Sequence, residues 1–348
     1  MDAGQKYTDI VLLDMEKKIS EVYSQASKDV QKKLDDYLLK FEAKDIAKQE
    51  LLAKGEITEA EYKQWRTGQI MISKRWEEME MVLAKDMNNA NLIAASVINE
   101  HTPEAYAIGM NYGTFQVEKG SLLNTSFTLY DRSTVERILK DDPDLLPKAK
   151  VKIPKDIKWN RQQIHSAVLQ SILQGSSVQE TASRLQAAGM KTNMTKADVL
   201  AMKKYSSLRS DKQISKVIAK KNKEVAIRNA RTMMTSAENR GRFDSYKRAE
   251  SMGIKVEKQW LATPDGRTRH SHAAQDGEHV PVDEEFGNGL MFPGDPDGDP
   301  REVYNCRCTM VALVEETDPS VNPDEVDRYT DLEDMDYDEW LEEHMEEL

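Results

Sequence analysis

Two stretches decide how the end of this chain folds: Val256-Glu257-Lys258-Gln259-Trp260-Leu261 and Cys306-Arg307-Cys308-Thr309-Met310-Val311-Ala312-Leu313-Val314. Each has strand length, strand-like patterning and turn residues at its borders, so both read as β-strands, expected to pair antiparallel. The insert between them opens Ala262-Thr263-Pro264-Asp265-Gly266-Arg267-Thr268-Arg269-His270-Ser271-His272 and closes through Pro293-Gly294-Asp295-Pro296-Asp297-Gly298-Asp299-Pro300. It is expected to fold over the strand pair. The aspartates of its second half look like a calcium loop, but the glycine is misplaced and no glutamate follows at the bidentate position. A chain of turns is the better expectation there.

Both cysteines of the chain, Cys306 and Cys308, lie two residues apart in the second stretch. Alternate residues of an extended segment share a face, so the two thiols point the same way, with Met310 and Ala312 continuing that face. At that spacing the Cα atoms are too far apart for an unstrained disulfide, but two thiolates can meet one ion. His272, just beyond the opposite strand, can reach the same place. Zinc takes a tetrahedral set of Cys and His, so His272, Cys306 and Cys308 are candidate ligands of one structural zinc, with His270, Asp265, Asp276 or water as the fourth. The same residues also suit a metal-free reading, with the thiols as ordinary buried side chains and His272 bonded to a loop carbonyl. Arg267 and Arg269, which alternate with Asp265, are expected to fix the insert by bidentate bonds to carboxylates such as Asp276, Asp283 or Glu284. Asn305 is expected to lock a turn through its side chain, and Trp260 to pack under the insert as core.

Upstream the pattern is helical. Val11, Met15, Ile19, Val22, Ala26, Val30, Leu34, Leu38 and Phe41 recur at three and four residues, as on one long amphipathic helix. Gly55 reads as its stop. Thr58 and Glu61 form a capping box for the next helix, which carries Trp65, Ile72, Trp76, Met79 and Leu83. Phe127 to Tyr130 is expected to form a short strand within an irregular connector. Helical stripes resume through Ile164, Val168, Ile172 and Leu173, then through Val178, Ala182 and Leu185. A basic helix is expected around 211–233 and a last helix from Arg228 to Ser251, ending near Gly253. The fold expected is therefore mainly α, with elongated helical N-terminal and middle regions and a small C-terminal α+β module containing an antiparallel strand pair. The segments are a helical hairpin or bundle over 1–110, an irregular connector over 111–158, a basic helical domain over 159–253, the module over 254–316 and an acidic tail over 317–348.

The composition agrees: 32% of residues are charged and only 7% aromatic, the profile of a solvated, helix-rich chain. No apolar run approaches a membrane span and no signal-peptide core opens the chain, so no membrane partner is expected, and a cytoplasm or a particle assembled there is the expected setting. Two cysteines make no disulfide framework. The net charge of −12 is unevenly spread. From Glu315 onward sixteen Asp and Glu face one Arg, a local −15, whereas residues 191–249 hold sixteen Lys and Arg against five Asp and Glu, a local +11. Lys212, Lys216, Lys220 and Lys223, spaced four, four and three, form one ridge. Such a ridge can follow a phosphate backbone without reading bases; it is equally what a solvated helix face looks like. The acidic tail is expected to have no core of its own, to be disordered or lightly helical, and either to guard the basic helix before DNA enters or to bind a basic partner.

The C-terminal segment resembles the phage minor head protein family, also called the phage head morphogenesis or Mu F-like family, in the version of tailed phages of Gram-positive hosts. Trp260, Asp265, Arg267, Arg269, Ser271, His272, Gly277, Phe286, Pro293-Gly294 and Asn305-Cys306-Arg307-Cys308 carry the likeness. Ala230-Arg231-Thr232, Asn239-Arg240-Gly241-Arg242, Trp159-Asn160 and Phe127-Thr128-Leu129-Tyr130-Asp131-Arg132 extend it upstream. Many relatives have an acidic residue after the Arg-Thr pair; here it is Met233. The resemblance implies a non-enzymatic structural protein of the virion. It would act in head assembly at or near the portal vertex, with the portal protein and other head proteins as partners and a part in DNA packaging or ejection. The alternative from another class is a metal-dependent nuclease using His270, His272 and the acidic loop. Two thiolates favour a closed structural site over that chemistry.

Overall fold

A computed structural model describes residues 2–71, 74–150, 211–314 and 330–346. The expected stripes between Ile164 and Leu185, and Trp159-Asn160, lie outside them. So do the side chains of Val30, Leu34, Leu38, Phe41, Trp76, Met79, Leu83, Lys212, Lys216 and Lys220, and all of Ile72.

The described residues form eight α-helices, one 3-10 helix and a three-stranded sheet. In chain order the elements are α1 (Ala3–Ala53), α2 (Glu59–Met71), α3 (Lys74–Ser121), α4 (Arg132–Asp141), α5 (Asp211–Ser251), β1 (Val256–Leu261), α6 (His270–Ala274), β2 (His279–Pro281), α7 (Pro300–Val303), β3 (Thr309–Val314), the 3-10 turn Thr330–Glu333 and α8 (Tyr337–Glu346). The chain divides into two compact units, one of Met1–Lys17, Ser96–Ala149 and Arg228–Leu348, the other of Lys18–Ala95 and Lys150–Ile227.

In the second unit, α1 ends as its sequence predicts. Gly55 takes a left-handed φ of 73°, Gly55 N donates to Leu52 O and Glu56 N to Leu51 O, the paired bonds of a glycine C-cap. The capping box forms: Glu61 N donates to Thr58 Oγ1 at 3.2 Å and Thr58 N to Glu61 Oε2 at 2.8 Å. Tyr62 then ties α2 to α1, its hydroxyl donating to Asp45 at 2.8 Å. Tyr23 ties α1 to α3 through Asn91 at 2.7 Å.

The first unit is organised by α5. The two helices expected over 211–251 are one continuous helix of 41 residues. It ends at Gly253 with the same glycine cap, Gly253 N on Glu250 O and Ile254 N on Ala249 O. It crosses α3 at very short range. A Cβ on Gly109 would lie 1.9 Å from Glu238 O, and one on Gly241 would lie 2.2 Å from Tyr106 O, so only glycine lets the backbones approach. Residues 111–121 belong to α3 rather than to an irregular connector, and α4 adds a helix there, capped by Asp131 accepting from Thr134 N. Phe127 to Tyr130 is not a strand; Phe127 is buried and its ring stacks on Tyr130.

The strand β1 covers the span expected of it. The expected second strand starts at Thr309 instead of Cys306, because a turn through Asn305 leads in, and Trp260 lies opposite Met310 in the antiparallel register. The insert contributes a third strand, β2, that the sequence pattern does not reveal, giving the order β2-β1-β3. One face of the sheet packs on α5 and the end of α3, with Val117, Phe243, Tyr246, Val256, Phe292 and Met310 as core. Beside it lies a second core of Trp260, Phe286, Leu290, Val303, Cys306 and Cys308, under the insert.

Over residues 330–346 the acidic tail is helical, a 3-10 turn followed by α8, and it is packed instead of disordered: Trp340 is fully buried and Tyr337 packs edge-on against Tyr112, their centroids 4.9 Å apart. It has no core of its own because it borrows this one.

Candidate metal centre

Three elements converge on the thiols. β1 runs into the turn at Asp265, α6 starts at His270 and carries His272, and the Asn305 turn delivers Cys306 and Cys308. Asn305 turns the chain through its backbone, at a left-handed φ of 59°, a conformation asparagine tolerates better than most residues. Its N–H donates to Thr232 Oγ1 at 2.8 Å, and its side chain is exposed instead of locking the turn.

His272, Cys306 and Cys308 come together, with ligand atoms all within 4.8 Å of one another and each residue buried. His272 Nδ1 lies 3.6 Å from Cys306 Sγ and 3.4 Å from Cys308 Sγ. Zinc bonds of about 2.3 Å to sulfur and 2.0–2.1 Å to nitrogen at tetrahedral angles would separate those atoms by about 3.5–3.6 Å. The spacing of the donors therefore fits such an ion. Cys308 N also donates to Cys306 Sγ at 3.4 Å, the kind of contact that stabilises a thiolate. The hydrogen bond from Cys306, with His272 beside it, draws the Cys308 thiol down to about 5. That same bond and burial push Cys306 well above its ordinary value. The pair gives up its first proton easily and its second reluctantly, and only a cation between the sulfurs would favour loss of both.

On its far side, His272 Nε2 lies 2.9 Å from Glu302 Oε2. The contact is close but falls short of hydrogen-bond geometry, and among the described residues Nε2 has no hydrogen-bond partner. None of the three side chains expected as a fourth ligand joins the three. His270 is exposed, Asp276 accepts from Ala262 N at 2.8 Å, and Asp265 is taken by Arg307, whose Nη2 donates to it at 2.7 Å. That fork holds the Asp265 carboxyl well below the usual carboxylate range.

The arginines correct the sequence reading. Arg267 points outward and, among the described residues, pairs with its neighbour Asp265, and Arg269 donates to Tyr304 O; neither grips Asp276, Asp283 or Glu284. The arginine that grips Asp265 bidentately is Arg307, between the two cysteines. Trp260 is fully buried, edge-on to His272 at 5.3 Å and to Phe286 at 5.1 Å. Lys212, Lys216, Lys220 and Lys223 all lie on α5, and Lys223 is half-buried.

Sequence reasoning missed what the Asn239-Arg240-Gly241-Arg242 run does. Asn239 Nδ2 donates to Pro293 O at 3.0 Å and Cys308 O at 3.1 Å, and Asn239 Oδ1 accepts from Thr309 Oγ1 at 3.0 Å. Arg242, fully buried, donates to Met310 O, Glu238 and Asp2. The run thus bolts the thiol turn and β3 to α5. It was legible as a motif, but its partners are distant in sequence.

Residues 162–311, which include α5, β1, β2, the thiol turn and the start of β3, match the family model described as Phage Mu protein F like protein. That bears out the resemblance read from Trp260, His272 and the cysteine turn. Over 321 residues the chain is 21% identical to the Minor head protein GP7 of Bacillus phage SPP1, covering 91% of this chain and 87% of that one. Over 118 residues it is 36% identical to the NAD(+)–arginine ADP-ribosyltransferase EFV of Enterococcus faecalis, covering 33% of this chain and 24% of that one. The chain thus spans about a quarter of that relative's length. No solved structure matches significantly.

Proposed function

We propose that this chain is a structural protein of a phage head, a minor head protein that works in head morphogenesis at or near the portal and takes part in DNA packaging or ejection. The observation that carries the reading is the likeness to a minor head protein along 91% of the chain. Its partners on this reading are the portal protein and other head proteins. Its place is the virion, with assembly in the host cytoplasm. The test is mass spectrometry of purified procapsids and virions of a phage that encodes it. Its presence in heads, and its cross-linking to the portal, bears the reading out. Absence from both particles overturns it.

The role is non-enzymatic. The match to the ADP-ribosyltransferase covers only 24% of that protein, so its activity is not carried over. A nuclease would need a water-accessible position beside its metal. His272 at 1%, Cys306 at 1% and Cys308 at 3% exposed suit a closed site. His272, Cys306 and Cys308 hold one structural zinc on this reading. Bound there, the ion cross-links α6 to the turn that starts β3, in a small module with no disulfide.

The DNA contact falls to Lys212, Lys216, Lys220 and Lys223, one turn apart on α5. Binding is sequence-independent and weakens with salt. Exchanging all four for glutamine lowers the steepness of that salt dependence by up to about 0.9 for each phosphate no longer neutralised. An unchanged slope removes the ridge from the DNA-binding surface.

A further inference from the structure

We infer that Glu302 is a positioning residue for the metal centre: its carboxylate holds the His272 ring so that Nδ1, not Nε2, faces the two thiols. The inference rests on the metal reading above and deepens it.

A carboxylate is placed here by an unusual amount of local structure. Asp299 caps α7, its side chain accepting from Arg301 N at 2.8 Å, and Pro300 occupies the first helical turn. Asp295 is buried beneath the preceding turn and accepts from Met291 N at 3.0 Å and Asp297 N at 3.0 Å. The aspartates that resemble a calcium loop are thus consumed in making turns and a cap. What those turns deliver is Glu302, one turn after Asp299. Its Oε2 lies 2.9 Å from His272 Nε2, and Ser271 Oγ donates to the same oxygen at 2.9 Å. Ser271 and His272 are adjacent on α6, so two neighbouring side chains of α6 converge on one carboxylate oxygen of α7.

The chemistry gives the contact a purpose. A neutral imidazole carries one proton, and a metal takes the other nitrogen. With Nδ1 facing both sulfurs, the proton must sit on Nε2 for Nδ1 to have a lone pair to offer. Nε2 is buried without a hydrogen bond among the described residues, and Glu302 Oε2, 2.9 Å away, is placed to accept its proton. A carboxylate behind a metal-bound histidine fixes the tautomer and raises the ring's basicity, and its loss typically weakens metal binding about 10–100-fold.

The test uses the full-length chain stripped of metal and titrated with cobalt(II), with thiolate-to-cobalt absorption as the readout and zinc affinity measured by chelator competition. Glu302→Gln is expected to keep one ion per chain and the thiolate absorption but to bind about 10-fold more weakly, and Glu302→Ala up to about 100-fold more weakly. Ser271→Ala, which frees Glu302 without touching His272, is expected to weaken binding by less, in the same direction. A merely structural Glu302 would lower the melting point of the metal-free chain and leave affinity unmoved. Wild-type affinity in both Glu302 variants overturns this inference while leaving the metal site standing. A wild-type chain that takes up neither ion overturns the metal reading itself.

Discussion

Trp340 Nε1 donates to Glu118 Oε2 at 2.8 Å, joining the acidic C-terminal helix to the buried end of α3. Glu118 is 1% exposed and its other oxygen accepts from Thr125 N at 2.9 Å and Thr125 Oγ1 at 2.6 Å. Every lone pair that matters on this carboxylate is answered, but one oxygen is answered only from α8. Nearby, Tyr337 packs against Tyr7 at the start of α1 while the Tyr7 hydroxyl donates to Asp338 at 2.8 Å. The tail therefore closes the first unit by tying α1 and α3 together.

Trp340→Ala removes the largest side chain of that closure and leaves a buried carboxylate oxygen without its donor. The expected loss is about 3–5 kcal/mol in urea unfolding. Trp340→Phe keeps most of the ring packing and loses the charge-assisted bond, for about 1.5–3 kcal/mol. If both variants unfold with the wild-type midpoint, α8 contributes nothing to the first unit.

The glycine pair at the α3–α5 crossing gives a second prediction. Alanine normally stabilises a helix by about 1 kcal/mol over glycine. At Gly109 the added carbon would sit 1.9 Å from the Glu238 carbonyl oxygen, so the helices must separate. Gly109→Ala and Gly241→Ala are expected to lose roughly 1–3 kcal/mol or more. Gly266→Ala, where nothing lies within 4 Å, is the control and should stay within about 0.5 kcal/mol. Thermal unfolding of the three variants side by side decides it; a neutral Gly109→Ala would mean the crossing is loose.

How far this architecture could be read in advance depends on how local its causes are. The caps at Gly55, Gly253 and Thr58–Glu61 were legible because each is made within a few residues of itself. The span of β1 was legible from its length and from the change of pattern after Gly253, although Lys258, charged and buried, interrupts the apolar face of Val256 and Trp260. What was not legible depends on distant partners. Asp2 meets Arg242 across 240 positions, and β2 is three residues long, too short for any periodicity. Composition misled at the tail. Its charge suggested solvation, whereas Tyr337, Trp340 and His344 fall at helical spacing on one buried face. The three candidate donors, which the structure does bring together, could be named from the strand pattern and the order of elements. Glu302 could not, because its aim depends on α7, a four-residue helix inside a run of turns.

Metal content and stability should move together. Elemental analysis of the purified chain is expected to find about one zinc, and Cys306→Ser and Cys308→Ser to lose it. The melting midpoint should fall in each variant by at least about 5 °C. A chelator should reproduce the fall in the wild type and leave the serine variants unchanged. A full complement of zinc in either variant would remove that thiol from the ligand set.

Lys258 carries a pH signature. It is fully buried in β1, lies 5.0 Å from the Phe243 ring centroid and 5.2 Å from that of Phe286, and donates to Val282 O at 2.8 Å. Burial pushes its ammonium down to about 8 from an ordinary 10.5, against the pull of Asp283, Asp295, Glu250 and Glu285. Below about 8 both folded and unfolded chains hold the proton. Between about 8 and 10.5 the unfolded chain still holds it while the folded chain has released it, so this residue's contribution to stability rises with pH across that window. The stability of wild type relative to Lys258→Met should therefore increase from pH 8 to 10.5. A difference that is flat across the window would mean the buried ammonium is not strained.

The last prediction concerns the first residues of the chain. Arg242 is fully buried between Glu238, at 2.7 Å, and Asp2, at 2.8 Å, with its guanidinium over the Tyr112 ring at 4.5 Å. Arg242→Met would leave two carboxylates facing each other without their cation, and should lose about 3–5 kcal/mol. Asp2→Asn leaves Glu238 and the Met310 carbonyl on the guanidinium, so its loss should be smaller, about 1.5–3 kcal/mol. In the double variant the two losses should not add, because Asp2→Asn also relieves the repulsion that Arg242→Met creates. A double-mutant cycle in urea is expected to show coupling of at least about 1 kcal/mol. Additivity within about 0.5 kcal/mol would show that Asp2 only lies beside Arg242 and does not hold it.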